Sequence, residues 1–499
     1  MDRLGFTHAV WLAALSLLVL PAVASAADTF ADASRPDDSG DCLTPATACK
    51  TINGAIGKAG VGDTVRIEPG TYAENVSLSG GISLVAVSSS PTISPAAGTG
   101  VEVTGGPAAT IHGLTFSSNV TGSVELQIDD YAGSTMVTGN TFTDPTPMAS
   151  DNQVGIRTTS KGNPQIANNR LSGLFHGIEV GSPAAGLPGA PLISGNTISG
   201  NHDNGDGIQV VSSSSHAVTG PTGATLVDNL IRDPGSGQSS GVLVLDGGSF
   251  SMDTAAPTAA LTMVRNRILG GIDGVQDFGA RGPVTLFGDV IARTGSIVIG
   301  GTAINAAAVN QLGGDLTLTN VDLVDNVNLA LELQDNHLTL DSSIVTEGTF
   351  KLGTTTCTIT FSDGPTTSGD SCETFQTSAK PSFVDQSTDD YHLTASGNSA
   401  LIDQGNPAAP PIGSTDFDGD PRAIDADGAC PLNPVRDIGA DEFNPGIPDC
   451  PAPPSGGGGP PVSPPGPTGQ RAAALKKCKR KHSTTARKRC RKRAKLLPV

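Results

Sequence analysis

Val137-Thr-Gly-Asn140-Thr-Phe142, Ile166-Ala-Asn-Asn169-Arg-Leu171 and Ile193-Ser-Gly-Asn196-Thr-Ile198 are three copies of one phrase. Each has an apolar residue, two others, Asn, one more residue and a second apolar residue. Leu226-Val-Asp-Asn229-Leu-Ile231 and Met263-Val-Arg-Asn266-Arg-Ile268 continue the series. Looser copies carry Leu114, Asp289 and Val321 in the Asn place, and the closing apolar residues fall at 116, 142, 171, 198, 231, 268, 291 and 323. The intervals run from 23 to 37 residues. A self-similar period of this size marks a stack of supersecondary units, each too small to bury its own apolar face. In such a stack the flanking apolar residues point inward onto their equivalents, with strands about 4.8 Å apart. Asn is expected to adopt the left-handed conformation of a tight bend. Its side chain is expected to hydrogen-bond along the axis. The asparagines are therefore read as scaffold.

Composition agrees with many short strands and tight turns. Among 499 residues there are 63 Gly and 36 Pro, with 4% aromatic and 16% charged. An ordinary domain carries roughly 25% charged residues. Charge is unevenly placed. Residues 471–499 hold 13 Lys or Arg and no acid, which leaves 17 basic against 48 acidic residues elsewhere, a net of −31. An acidic body with a basic end implies two separate jobs.

Residues 1–26 read as a secretory signal: Arg3 and His8, the apolar run Ala9–Val19, then Ala24-Ser-Ala26 as a cleavage site. That run is shorter than the roughly 20 residues a membrane span needs, and no second long apolar run follows. Export suits the eight cysteines, whose sequential near pairs suggest bridges 42–49, 357–372, 430–450 and 478–490.

Segment 27–50 is a lead-in. Ile52, Ala55, Ile56 and Ala59 then share one face of a short helix predicted over 51–59. Val65 and Ile67 alternate as a strand that Pro69-Gly70 turns. A helix followed by GDTVRIEPGTYAENVSL (62–78) resembles the entry of secreted right-handed parallel β-helix proteins of the pectin-lyase-like superfamily. The resemblance implies an all-β solenoid over 51–380, with the helix as a cap hiding strand edges.

Pro381-Ser-Phe-Val-Asp385, Tyr391-His-Leu393, Ser399-Ala-Leu-Ile-Asp403, Asp416-Phe-Asp-Gly-Asp-Pro-Arg422 and Asp437-Ile-Gly-Ala-Asp-Glu-Phe443 follow in order. This series resembles the closing segment of bacterial surface proteins of the choice-of-anchor Q type, and it occupies 381–444. Residues 445–470 are a Pro/Gly linker, and 471–499 form the basic tail, expected to be disordered. The membrane spans and sorting motifs usual among such anchors are not found here.

Longer repeats at 198–231 and 231–268 imply protruding loops at 200–207, 212–225 and 247–258, where binding surfaces commonly lie. The densest polar cluster is Gly200-Asn-His202-Asp203-Asn-Gly-Asp206-Gly207. His202 is a candidate general base oriented by Asp203 or Asp206, weighed against plain turn chemistry. His176 reads as a corner residue. Arg157 and Lys161 flank one turn and would suit a lyase base, though no acidic constellation pairs with them. Asp129 and Asp130 are adjacent on a strand and so face opposite ways, unlike a glycosidase pair. Asp416, Asp418 and Asp420 alternate as oxygen ligands for Ca²⁺ would. The loop lacks the twelfth-position Glu of an EF-hand, since Asp427 stands there.

The expected function is an exported, surface-associated β-helix, non-catalytic, presenting loops for adhesion or carbohydrate binding. Its basic tail would hold an anionic envelope polymer, with no specific nucleic acid as partner. The alternative is a polysaccharide lyase or glycoside hydrolase.

Overall fold

The computed structural model describes residues 26–79, 81–88, 91–129, 134–145, 152–159, 162–181, 190–201, 204–211, 222–234, 239–245, 259–278, 282–295, 297–299, 302–304, 307–327, 329–346, 349–365, 375–408, 414–424 and 435–445. The signal segment, the linker, the basic tail and Cys372, Cys430, Cys450, Cys478 and Cys490 lie outside them. Most of each coil is three short parallel strands. Sheet 1 runs from Val76–Ser79 through Val154–Thr158 to Thr349–Leu352, and sheet 2 from Asp28–Ala31 through Gln165–Ala167 to Thr356–Thr360. Sheet 3 stacks Thr71–Tyr72 through Arg170–Ser172 to Ile344–Val345. Sheets 1 and 2 fuse in the last coils, where Ala307–Thr319 and Leu329–Asp341 each serve both.

The closing apolar residues form the inner column of sheet 3. Phe116, Phe142, Leu171, Ile198, Ile231, Ile268, Ile291 and Leu323 are all fully buried. Phe116 and Phe142 stack face to face, ring centres 4.5 Å apart and 9° from parallel.

Facing this column is one that the repeat phrase does not reveal. Gly155, Gly177, Gly207, Gly241 and Gly274 each precede an inward Ile or Val at the start of a sheet 1 strand. A Cβ at Gly241 would stand 2.3 Å from Ile268 Cγ2, and one at Gly274 would stand 2.2 Å from Ile291 Cγ2. At these coils the approach of sheets 1 and 3 leaves no room for a side chain. In the last coils Ala308 and Ala330 take the place, in register with Gly274. Gly241→Val is therefore expected to overpack the core and cost about 3 kcal/mol. Chemical denaturation of the variant beside the parent measures it.

The asparagines behave half as expected. Asn140, Asn169, Asn196, Asn229 and Asn266 form a buried ladder along the axis. Each Oδ1 accepts from the main chain of the preceding coil, and from its Asn side chain where one exists, at 2.9–3.0 Å. Each Nδ2 donates to a carbonyl of the preceding coil, as from Asn196 to Ile166 at 2.8 Å. The left-handed bend, however, is made one residue earlier. Gly139, Asn168, Gly195, Asp228, Arg265 and Gly288 have φ between 55° and 69°. The ladder Asn points its amide inward, and its predecessor turns the chain. At Arg265, a residue ill suited to that conformation, Nε and Nη2 bond Asp228 at 2.8 and 3.0 Å.

The ladder ends at Asp289, whose oxygens accept from Asn266 N, Asn266 Nδ2 and Phe287 N. The next rung is Val321, which has no side-chain oxygen to receive an amide proton. A carboxyl, with two accepting oxygens and no amide protons to place, suits that terminus, and burial pushes it up to about 7. Beyond it hydroxyls take over: Val321 N donates to Ser343 Oγ at 3.0 Å and Ser343 N to Ser362 Oγ at 3.1 Å.

The N-terminal end is covered. The helix is shorter than predicted, Ile52–Ile56, because Gly57 caps it, its N–H donating to Asn53 O at 2.9 Å, and a turn follows. Thr51 Oγ1 caps it by accepting from Gly54 N, and the Glu74 carboxylate accepts from Ile52 N and Asn53 N at 2.7 and 3.1 Å. An anion there also meets the positive helix end. The expected Cys42–Cys49 bridge is present, and its loop pairs with the first strand through Phe30 N to Cys42 O and Cys49 N to Phe30 O. Cys357 is also disulfide-bonded.

The C-terminal segment lies along the outside of sheet 3. There Leu269, Val290, Ala292, Val324 and Ile344 form a second core with Phe383, Tyr391, Leu393, Leu401, Ile438 and Ala440. Polar bonds fasten it. Asn320 Nδ2 donates to Asp437 O and Gly439 O at 2.9 and 3.0 Å, and Ala440 N donates to Asp322 Oδ1 at 2.9 Å. Arg436 bonds Asn320 Oδ1 at 3.0 Å and Asp341 Oδ2 at 2.6 Å. Asp389 binds both Arg232 and Arg293, at 3.0 and 2.8 Å.

Candidate functional site

Sheet 1 carries a rank of outward side chains, one contributed by each coil in strict register. Glu102, Gln127, Arg157, Glu179, Gln209, Leu243, Gln276, Asn310, Glu332 and Lys351 follow one another along the rod. Strand alternation forces this, because the residues on either side of each point into the core. Of the predicted protruding loops, 202–203, 212–221 and 247–258 lie outside the described residues; Asn204–Gly207 leads into the sheet 1 strand Ile208–Val211.

The polar side chains are tied to one another. Arg157 Nη2 meets Glu179 Oε2 at 2.8 Å, and Lys351 is bonded to Glu332. Gln127 Nε2 donates to Asp129 Oδ1 at 2.8 Å, and Thr159 donates to the same carboxylate. Gln276 receives the Ser240 hydroxyl at 2.9 Å and donates to Asp273 at 2.6 Å. The stripe is thus preorganised, with carboxamides that still offer unused donor and acceptor positions.

Of the candidate general-base cluster, His202 and Asp203 lie outside the described residues. Asp206 is buried, and its Oδ1 accepts from Ser240 N at 2.9 Å. Two coils on, Asp273 makes the same bond to Ala307 N at 2.7 Å. Asp206 thus repeats a staple between successive strand starts. Its Oδ2 is 3.5 Å from Nδ1 of His176. That contact is no ion pair at neutral pH. Burial, with Arg157 second, pushes the imidazole down to about 4, and burial pushes the Asp206 carboxyl up to about 7. Nδ1 accepts from Asp206 N at 3.2 Å, so the neutral ring carries its proton on Nε2 and keeps no free lone pair for a base. The carboxyl of Glu125, a residue standing in the glycine column, is pushed by burial up to about 8. Nothing in the local sequence distinguishes it from a surface glutamate.

The three candidate calcium ligands are engaged elsewhere. Asp416 Oδ1 accepts from Asp418 N and Asp420 N, both at 2.9 Å, and its Oδ2 accepts from Glu442 N at 3.2 Å. Asp418 turns to His392 Nε2 at 2.5 Å and Asp420 to Asn444 Nδ2 at 3.1 Å. Asp425 and Asp427 lie outside the described residues. Among those described, no three His, Cys, Asp or Glu side chains converge to hold a metal ion, and no helix is long and apolar enough to cross a membrane.

Residues 70–231 match the family described as "Right handed beta helix region". No curated protein matches the sequence. Among solved structures, the pectate lyase Pel9A is similar at 12% identity and TM-score 0.38, over 84% of this chain and 97% of that one. The Dettilon tailspike protein is similar at 13% and 0.36, over 66% and 68%. The matched region and the coil geometry agree that the body of this chain is a right-handed parallel β-helix.

Proposed function

We propose that the chain is an exported, envelope-associated β-helix that binds extended polysaccharide along the outer face of sheet 1 without cleaving it. The observation that carries this reading is the unbroken rank from Glu102 to Lys351, nine of whose ten side chains are polar or charged. A linear glycan lying along the rod would meet one hydrogen-bonding group about every 4.8 Å. Non-catalysis is supported by Asp206, whose carboxyl serves a strand start, and by His176, whose Nδ1 is occupied.

The basic tail supplies the second function. Its 13 positive charges would hold an anionic wall polymer, acidic lipid or extracellular polysaccharide. Deleting residues after Gln470 is expected to release the protein from cells, and a high-salt wash of the intact protein should do the same. Retention unchanged in both refutes the electrostatic anchor. For the body, the test is a reducing-end and unsaturated-product assay on acidic and neutral polysaccharides. Turnover that Asp206→Ala or His202→Ala abolishes would establish the lyase or hydrolase reading in place of this one.

A further inference from the structure

We infer that the sheet 1 stripe selects neutral glycans and rejects polyanionic ones, an inference that rests on reading this face as the glycan site. Among the described residues of the rank there are two cations, and neither is free. Arg157 is held by Glu179 at 2.8 Å, and Lys351 by Glu332. A uronate arriving at Arg157 would have to displace a carboxylate already bound and largely buried, with a side chain 7% exposed. Breaking such a pair leaves the evicted charge uncompensated, which is costly.

The rest of the stripe adds repulsion. Glu102 and Asp129 face outward beside Gln127, and the body as a whole carries a net of −31. His176, next to Arg157, contributes no charge near neutral pH. Carboxamides occupy the remaining places at Gln127, Gln209, Gln276 and Asn310. Each amide offers both donors and acceptors, which suits sugar hydroxyls, whereas a carboxylate can only accept. Leu243, between Gln209 and Gln276, gives the apolar contact that a sugar's C–H face takes. Nothing in this arrangement rewards negative charge on the ligand.

The experiment is competition calorimetry on the full mature chain. Linear β-glucan, mannan and xylan fragments serve as neutral probes and oligogalacturonate as the anionic one, at physiological salt. Because the basic tail also attracts oligogalacturonate, the readout is displacement of the neutral glycan rather than total binding. At least one neutral probe is expected to bind, and Gln127→Ala with Gln209→Ala should weaken it about tenfold or more. Gln127→Ala alone, which spares the side-chain hydrogen bond between Gln209 and Asp206, should weaken it in the same direction. Oligogalacturonate should fail to displace it from the parent protein. Glu179→Gln frees Arg157 and should let oligogalacturonate compete. Displacement from the parent at equal concentration overturns the selectivity and leaves the glycan site standing. If neither probe class binds, or the stripe variants leave binding unchanged, the reading of this face falls as well.

Discussion

Asn196→Leu is expected to destabilise the solenoid by on the order of 5 kcal/mol, with little change in the shape of the side chain. Four hydrogen bonds converge on this one buried amide. Its Oδ1 accepts from Asn169 N at 2.9 Å and from Asn169 Nδ2 at 3.0 Å. Its Nδ2 donates to Ile166 O at 2.8 Å and to Asn229 Oδ1 at 3.0 Å. Leu gains some apolar burial but strands the Asn169 N–H, one Asn169 amide proton and the Ile166 carbonyl away from water. Each unmet group costs about 1–3 kcal/mol. The penalty is more than additive if neighbouring rungs polarise one another. Asn196→Asp should be nearly as damaging, because it replaces two donors with an acceptor facing Asn229 Oδ1. That contrast separates a donor role from mere polarity, since Asp is native at 289, where the next rung is Val321. Urea denaturation of the three proteins settles it, with Thr197→Ala on the partly exposed outer face as a control expected within about 0.5 kcal/mol. Equal stability of Asn196→Leu and the parent would show that the ladder contributes nothing.

The solenoid was legible because its core repeats: the first and last apolar residues of each Asn phrase are inward ones. The bend lies one residue before the Asn that propensity favours, because Asn's general liking for the left-handed region yields here to its place in the ladder. The sequence held a better signal in Gly139, Gly195 and Gly288, directly before the rung. The glycine column was hidden for a different reason. Its cause is a distance between sheets 1 and 3, and nothing local distinguishes Gly241 from a turn glycine. The placement of the C-terminal segment was readable in hindsight. Thr141-Phe142-Thr143 and Thr197-Ile198-Ser199 alternate, whereas Val290-Ile291-Ala292 and Leu323-Val324 do not. A strand apolar on both faces needs a cover on both. The sheet 1 stripe escaped notice because its members share only register, which appears once the coils are aligned. The acidic loop at 416–420 is ambiguous in sequence, because alternating Asp side chains serve a tight turn as well as they serve a cation.

The C-terminal segment is expected to hold more firmly at pH 5.5 than at pH 8.5, with a loss on the order of 4 kcal/mol across that range. The reason lies in how many carboxyls surround one cation. The buried Arg422 donates to the carbonyls of Gly439, Ala440 and Asp441 and has Asp322, Asp416, Asp441 and Glu442 as its carboxyl neighbours. One guanidinium cannot compensate four anions out of water, so the surplus is held protonated. Burial pushes Asp322 up to about 8 and Asp441 up to about 6; burial, with the Glu442 charge second, pushes Asp437 up to about 8, and burial pushes Glu442 up to about 7. On the facing hairpin His392 sits between Asp390 and Asp418. Burial opposes its charge, but those two carboxylates prevail and raise it. Arg436 is bonded to Asp341 on the solenoid. For every raised group the sign is the same. The folded form binds the proton more tightly than the unfolded one, so the contribution is complete below the unfolded value near 4 for the acids and 6.5 for histidine. It is lost as pH climbs through the folded values, about 6 to 8 for the acids, and through the raised value of the histidine. Each net proton released costs about 1.4 kcal/mol per pH unit, and one proton over three units gives the figure above. Limited proteolysis within 381–444, with an apolar dye reporting exposure of Val290, Val324 and Ile344, should show the segment loosening as pH rises while the solenoid stays folded. Asp322→Asn keeps an acceptor for Ala440 N and removes the titrating group, so it should flatten part of the pH dependence. A segment equally protected at both pH values, or most protected at pH 8.5, would mean that these carboxyls are ionised in the fold.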